Sequence, residues 1–220
     1  MLRDVDINEI SDGHFYSLSD MAKLGCNECA GCSACCRDMG RSVILDPMDF
    51  YRFAKGGIGT FSSMLEREVE LNITDGVILP NIKMTGTDSA CPFLTTEGRC
   101  RIHAWRPGLC RLFPLGRYYE NGSFRYILQT GECKAQNRYK VRIRKWLDMP
   151  DPVSYEKYIN CWHDLIRKAG EKIPRMDDRK QHEAVMYLLK EFYEKPWSVS
   201  GGFYDEFYER TEKLRETGLL

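Results

Sequence analysis

Several features that would assign this chain to a familiar class are missing. Its 32 basic and 32 acidic side chains balance, so the formal net charge is zero. That balance argues against binding nucleic acid or an anionic membrane through the overall field, although a local basic patch is compatible with it. No apolar run approaches the ~20 residues that a membrane-spanning helix needs. We therefore expect neither a nucleic-acid partner nor a membrane.

The start of the chain also lacks the pattern of an export signal. Its first ten residues, MLRDVDINEI, carry acidic side chains where such a signal has a basic and then an apolar stretch. We expect a cytoplasmic protein, in which cysteines stay reduced. Ten cysteines are nevertheless present, and five of them lie between Cys26 and Cys36. Such crowding favours ligands that converge on one point over disulfides that span a fold.

Three cofactor motifs are absent as well. The only glycine-rich stretch, Gly56-Gly57-Ile58-Gly59, lies between two predicted helices rather than after a strand, so it is typical of a helix end. The spacing cysteine-x3-cysteine-x2-cysteine of radical enzymes does not occur. From Cys26 to Cys35 the spacing approaches that of bacterial ferredoxins, but the last gap is one residue short and no proline follows.

The first half of the chain contains clear signals for short elements after a polar stretch at residues 1–25. Asp46-Pro47 predicts the start of a helix, and Thr60 predicts the cap of a second helix over FSSMLEREVEL. The run GVILPNIKM predicts a strand that Pro80 restricts to an edge or a bend. Aromatic and β-branched runs flank Asn121-Gly122, which predicts a β-hairpin.

The second half is predominantly helical in pattern. We expect a basic helix over KAQNRYKVRIRKWLDM, a helix that starts at Asp151-Pro152 or Ser154, and helices over MDDRKQHEAVMYLLKEFY and FYDEFYERTEKLRE. The sequence therefore predicts an α+β fold, mostly helical, with a small β-hairpin or sheet and a cysteine-rich metal-binding core. We expect two domains: residues 1–135 around the cysteines and a helical extension, residues 136–220, packing on them.

The cysteines carry the strongest functional signal. Cysteines two residues apart can point at one metal from a single turn, whereas the adjacent Cys35 and Cys36 are hard to direct at the same mononuclear centre. Two batches of four thiols, distant in sequence, would satisfy two tetrahedral sites or one cubane plus a second metal. The candidate metal ligands are Cys29, Cys32, Cys35, Cys36, Cys91, Cys100, Cys110 and Cys133.

Other polar side chains surround these cysteines. A tetrathiolate site carries excess negative charge, which interleaved arginines could offset; they are Arg37, Arg99, Arg101, Arg106, Arg111 and Arg117. His103 is a candidate ligand, a donor behind a ligand, or a structural histidine. Cys161 beside Trp162 fits a small buried side chain better than a ligand. The basic stretch from Arg138 to Lys145 could touch an acidic partner or nucleic acid, but it fits a solvated helical face better.

The combined motif resembles the CxxCxxCC cysteine-cluster family, also called YkgJ-like, whose members are proposed to chelate zinc or iron. The resemblance covers roughly residues 26–135, through the motifs Cys29-x2-Cys32-x2-Cys35-Cys36, Cys91-Pro92-Phe93-Leu94, Cys100-x-Ile102-His103, Arg106-Pro107-x2-Cys110-Arg111-x-Phe113-Pro114 and Cys133. His103 stands where relatives usually have tyrosine, and Cys26 and Cys161 are additions to the family's eight cysteines.

The resemblance implies three functions. The first is a protein that chelates iron, as an ion or an iron–sulfur cluster, or alternatively zinc, since soft thiolates select both metals. The second is an enzyme related to the flagellin lysine N-methylases, which would transfer a methyl group from S-adenosylmethionine to a protein. The third is a zinc-stabilised module that binds a protein partner without catalysis. Neither the substrate nor the oligomeric state follows from the sequence.

Overall fold

The fold combines helices with small antiparallel sheets, and the computed structural model describes residues 6–26, 32–198 and 200–219. Helices make up 43% of these described residues and strands 22%, so the predicted α+β class is confirmed. No helix within these described ranges is long and apolar enough to cross a membrane.

By its contacts the chain divides into two compact units, and neither is continuous in sequence. We call them the helical unit, Arg41–Lys83 with residues 161–219, and the cysteine unit, residues 6–40 with Met84–Asn160. Eight of the nine described cysteines belong to the cysteine unit, and the ninth, Cys161, to the helical unit. These units group the chain by contacts, so the predicted domain boundary at residue 135 stays a prediction.

An aromatic core holds the helical unit together. Phe50 lies at its centre, with ring centroids 5.4 Å from Phe61 and 5.5 Å from Tyr193 in edge-on geometry, an arrangement that favours aromatic pairs. Trp162 extends the core towards Phe192, 5.3 Å away. The elements are α2 (Pro47–Lys55), α3 (Phe61–Leu65), β3 (Val69–Thr74), β4 (Val77–Ile82), the second half of α6 (Pro152–Lys172), α7 (Asp178–Leu189), a π-helical turn (Lys190–Glu194) and α8 (Phe203–Glu216).

Helix capping explains where α2 and α3 begin. The Asp46 carboxylate accepts a hydrogen bond from the Asp49 N–H at 3.1 Å, and the Asp49 carboxylate accepts one from the Asp46 N–H. Thr60 and Ser63 form the same reciprocal cap. Both predicted helix starts are therefore confirmed, as are the predicted helices at α6, α7 and α8.

The helix predicted over FSSMLEREVEL is wrong beyond Leu65. Residues from Val69 onward form strand β3 instead, which pairs in register with β4 from Val69–Ile82 to Thr74–Val77. In Val69–Thr74 apolar side chains alternate with polar ones, a pattern that suits a strand of a hairpin. The pairing of β3 with β4 overrides the local preference for a helix. Strand β4 contains Pro80 and lies in a two-stranded sheet, as the proline predicts.

Two antiparallel sheets and short helices form the cysteine unit. Its elements are α1 (Ile7–Ile10), β1 (Ser11–Tyr16), β2 (Met21–Gly25), α4 (Gly108–Leu112), β5 (Leu115–Glu120), β6 (Ser123–Gln129), β7 (Tyr139–Arg142), α5 (Ile143–Leu147) and the first half of α6. The strand order is β1-β6-β5 in one sheet and β2-β7 in the other. The predicted hairpin is confirmed, with φ of 52° at Asn121 and 75° at Gly122.

Strands β1, β2 and β7 were not predicted. Residues 1–25 were expected to be a polar stretch, yet β1 pairs with β6 and β2 pairs with β7. The predicted basic helix over KAQNRYKVRIRKWLDM is wrong at Tyr139–Arg142, which form β7, and helical only at Ile143–Leu147. The alternation of inward and outward side chains favours strands over a helix here. Ala22, Leu24 and Val141 face one core, while the residues between them face solvent.

A close approach inside the helical unit allows a test of its packing. Gly170 of α6 lies so near the turn between β3 and β4 that a Cβ there would overlap the carbonyl oxygen of Asp75. We expect Gly170→Ala to destabilise the protein by about 1–3 kcal/mol through overpacking, although alanine is favoured over glycine in helices by about 0.5–1 kcal/mol. Chemical denaturation measures the change. Lys172→Ala, at an exposed position of the same helix, is the control, and a Gly170→Ala protein as stable as the wild type would contradict this packing.

A half-buried carboxylate in the cysteine unit predicts a pH dependence. Burial raises the pKa of Glu156 in α6, while the Tyr126 hydroxyl and the Arg117 charge act in the opposite direction. Because the folded-state pKa is raised, the protonated carboxyl stabilises the fold at low pH, and this stability is lost as pH rises through the folded value. We expect the melting temperature of the wild type to fall relative to Glu156→Gln between about pH 4 and 7. A difference that stays constant across that range would contradict the assignment.

Candidate metal centre

The first cysteine batch ends in a tight turn. Ala34–Cys36 form one turn of 3-10 helix, in which the Cys36 N–H donates to the Ser33 carbonyl at 2.9 Å. This turn brings the vicinal thiols together, and the side chains of Cys35 and Cys36 are hydrogen-bonded to each other. Cys32 precedes the turn and is half-buried. Cys29, also a predicted ligand, lies outside the described residues.

A backbone contact joins the two cysteine batches. The Cys91 N–H donates to the Cys36 carbonyl at 2.8 Å, and the Asp38 N–H donates to the Ser89 carbonyl at 3.0 Å. Between these bonds Arg37 and Ala90 form an antiparallel bridge. A short extended segment after the vicinal cysteines therefore runs antiparallel to the segment that ends at Cys91. The segment that ends the first batch therefore contacts the segment that starts the second, and the convergence of all eight sulfurs stays a prediction.

A small loop then returns the chain to the same place with Cys100. The Leu94 N–H donates to the Cys91 carbonyl at 2.9 Å and closes a turn over Pro92 and Phe93. The Arg101 N–H donates to the Phe93 carbonyl at 2.9 Å, so the loop closes as a bridge between Leu94 and Cys100. Phe93 and Ile102 anchor the loop, with only 2% and 4% of their surface exposed.

The thiols of both batches interact electrostatically. The hydrogen bond with Cys36 and then burial raise the pKa of Cys35 far above that of an ordinary thiol. Burial raises the pKa values of Cys91 and Cys100, and the charges of Cys100 and Cys35 add to that of Cys91. Deprotonation of each thiol is therefore unfavourable beside its neighbours unless positive charge is added near them. A cation bound by these sulfurs would make the thiolate forms favourable.

Two backbone N–H groups favour the thiolate forms of Cys91 and Cys100. The Phe93 N–H bonds to the Cys91 sulfur and the Ile102 N–H to the Cys100 sulfur, and each bond lowers the pKa of its thiol. In both cases the donor lies two residues after the cysteine. N–H groups directed at sulfur stabilise negative charge there and are a usual accompaniment of metal-bound thiolates.

Arg106 is the cation most closely linked to these thiols. Its charge lowers the pKa of both Cys35 and Cys100, and Arg101 does the same for Cys91 and Cys100. The guanidinium of Arg106 also contacts the ring of His103, with Nη1 3.1 Å from Nδ1. Its Nε is buried and has no hydrogen-bond partner among the described residues. A thiolate or a sulfide would supply the acceptor that this Nε lacks, so the arrangement fits a sulfur-ligated metal.

Three further arginines near the cysteines contact other groups of the protein. Arg37 forms an ion pair with Asp88, and Arg117 donates to the Tyr155 hydroxyl at 3.1 Å. Arg111 is 2% exposed and donates to the Leu147 carbonyl at 2.5 Å. These three side chains therefore hold the fold of the cysteine unit. The expectation that arginines offset thiolate charge is supported by the contacts of Arg101 and Arg106.

A comparison with known protein families matches the segment that carries the eight candidate cysteines. Residues 28–134, just under half of the chain, match the model of the CxxCxxCC family, described as "putative zinc- or iron-chelating domain". This segment belongs to that family. The predicted resemblance is confirmed, and the YkgJ-like name is consistent with it. No curated protein and no solved structure matches the chain.

The described geometry of the CxxCxxCC domain does not yet contain a complete ligand sphere. Among residues 6–26, 32–198 and 200–219, no three His, Cys, Asp or Glu side chains are grouped closely enough to hold a metal ion. None of the nine described cysteines is in a disulfide. Cys110 is exposed on α4, and Cys133 is half-buried in the loop after β6. The eight-cysteine ligand set therefore stays a prediction.

The pairing of His103 with Arg106 was not predicted, although the sequence contains a signal for it. Two residues three apart at a 3-10 turn lie on the same side of the chain, and His103–Trp105 form such a turn directly before Arg106. The imidazole therefore belongs beside the guanidinium. Of the three roles considered for His103, a structural histidine that hydrogen-bonds to a neighbouring side chain agrees best with this contact.

Replacing Arg106 tests its role in the CxxCxxCC domain. We expect Arg106→Gln to weaken metal affinity by about 10–100-fold, the usual effect of removing a group that hydrogen-bonds to metal ligands. Competition with a chromogenic chelator measures the affinity. Arg37→Gln is the matched control, because Arg37 lies next to Cys36 but pairs with Asp88. Equal affinity in the two variants would show that Arg106 does not act on the thiols.

Proposed function

We propose that the CxxCxxCC domain binds iron through cysteine thiolates, as an iron–sulfur centre. The ligands in this proposal are Cys29, Cys32, Cys35, Cys36, Cys91, Cys100, Cys110 and Cys133. The observation that supports it is the hydrogen bond from the Cys91 N–H to the Cys36 carbonyl, which joins the last cysteine of the first batch to the first cysteine of the second. When bound, such a centre supplies electron transfer or a Lewis acid.

The vicinal cysteines favour a centre with more than one metal ion. Adjacent thiolates are difficult to direct at one tetrahedral ion. Yet Cys35 and Cys36 are hydrogen-bonded to each other, so both sulfurs lie in the same place. A cluster offers separate metal ions to the two sulfurs.

The chain's own groups prepare the position for anionic sulfur. The N–H groups of Phe93 and Ile102 donate to sulfur, and Arg101 and Arg106 bring positive charge. Phe93 and Ile102 are buried, and Cys91 and Cys100 beside them are half-buried. Partial burial of the sulfurs strengthens these electrostatic interactions relative to those of an exposed thiol.

Two finer interpretations depend on the metal and on the family. Zinc is the alternative occupant, because thiolates bind both metals, and it would make the domain a stable interaction module. Methyl transfer from S-adenosylmethionine to a protein lysine rests on the resemblance to the flagellin lysine N-methylases alone. Both stay predictions.

Anaerobic purification followed by metal analysis and a visible spectrum tests the proposal. We expect a brown protein that contains iron and acid-labile sulfide and absorbs through sulfur-to-iron charge transfer. A colourless protein with stoichiometric zinc would overturn the choice of iron but keep the thiolate site. A well-folded protein that takes up neither metal would overturn the site itself.

Serine substitutions test the ligand set. We expect Cys35→Ser and Cys110→Ser to lower metal content and to lower the melting temperature by about 5–10 °C, because metal binding is coupled to folding. Metal analysis and thermal denaturation provide the two measurements. Cys161→Ser is the matched control, since Cys161 belongs to the helical unit and should keep wild-type metal content. Unchanged metal in both ligand variants would refute the assignment.

A further inference from the structure

The outer face of the β2–β7 sheet carries a concentration of positive charge. In the antiparallel register Met21 is opposite Arg142, and Lys23 is opposite Lys140. The residues between them, Ala22 and Val141, turn inward to the core. Side chains alternate across a strand, so the lysines and the arginine share the solvent-facing side. We call this surface the cationic face; it consists of Met21, Lys23, Lys140 and Arg142, together with the exposed Tyr139 at the start of β7, where the register shifts.

The cationic face is electrostatically unfavourable for the isolated fold. Like charges directly opposite each other on neighbouring strands destabilise a sheet, and Lys23 and Lys140 are such a pair. Arg144 and Lys145, which follow Arg142 at the start of α5, are exposed as well. No ion pair joins any of these five cations to an acid within the described part of the chain. The positive charge of this surface is therefore not offset by an ion pair to any described acid.

Apolar side chains flank the charges. Met21 is 50% exposed at one end and Tyr139 is 57% exposed at the other. The ring of Tyr139 lies directly on Gly25, where any Cβ would overlap it, so one side of the ring is held against the backbone. Tyrosine, methionine and arginine are enriched at protein–protein interfaces. Exposed apolar groups at both ends of a charged strip are typical of a binding surface rather than of a solvated one.

We propose that the cationic face binds an extended acidic segment of a partner protein. Along β7 the outward side chains of Lys140 and Arg142 are two residues apart, about 6.6–6.8 Å at the usual rise of a strand. Acidic residues at alternate positions of an extended peptide have the same spacing. Met21 and Tyr139 then contact apolar side chains of that segment. This proposal is independent of the metal.

Single-stranded nucleic acid is the rival occupant. Proteins that bind it combine a cationic groove with several aromatic side chains that stack on successive bases. The cationic face has one such ring, and a phosphodiester backbone gains little from Met21. The protein partner is therefore the better match.

Fluorescence anisotropy with the full chain tests the proposal. The probe is a labelled short peptide that alternates glutamate and threonine, and the comparator is an oligothymidylate of equal charge. We expect the peptide to bind at low salt and Lys23→Glu or Lys140→Glu to weaken it by at least about fivefold, as expected for reversal of a contacting charge. Lys83→Glu, an exposed lysine of the helical unit, is the matched control for net charge.

The same variants exclude misfolding as the cause. Lys140→Glu places opposite charges across the strands, so its melting temperature should equal or exceed that of the wild type while peptide binding falls. Three results would overturn the proposal: no binding of the peptide by the wild type, equal weakening by Lys83→Glu, or tighter binding of the oligothymidylate.

Discussion

The candidate site depends on one backbone hydrogen bond, from the Cys91 N–H to the Cys36 carbonyl. It fixes two segments more than fifty positions apart in sequence without using any sulfur atom. The bridge between Arg37 and Ala90 and the bond from Asp38 to Ser89 extend the same alignment. Because backbone groups hold the segments, the thiols are left available for a metal.

The physical difficulty at this place is charge. Several thiols lie close together in a partly buried position, and each raises the energy of a thiolate beside it. The chain reduces that energy with N–H groups at Phe93 and Ile102 and with Arg101 and Arg106. In the whole chain, positive and negative charges are equal in number, yet the β2–β7 sheet carries a local concentration of positive charge.

Local signals predicted those parts of the fold that depend on neighbouring residues. The caps at Asp46 and Thr60 and the turn at Asn121-Gly122 were predicted because each is decided within a few positions. Strand β7 was not, since KVR reads as part of a basic helix until its pairing with β2 is known. At the site, the sequence predicted that arginines offset the charge of the cysteines. It could not predict which of the six arginines do so, because the link of Arg106 to Cys35 depends on how distant segments fold together.

The alignment of the segments through main-chain atoms has a consequence for substitutions. Because the contact between Cys36 and Cys91 uses a carbonyl oxygen and an N–H, replacing either side chain leaves the donor and the acceptor in the chain. Sulfur chemistry and chain alignment are therefore separable at this place, since a variant that loses a thiol keeps the two atoms that hold the segments together.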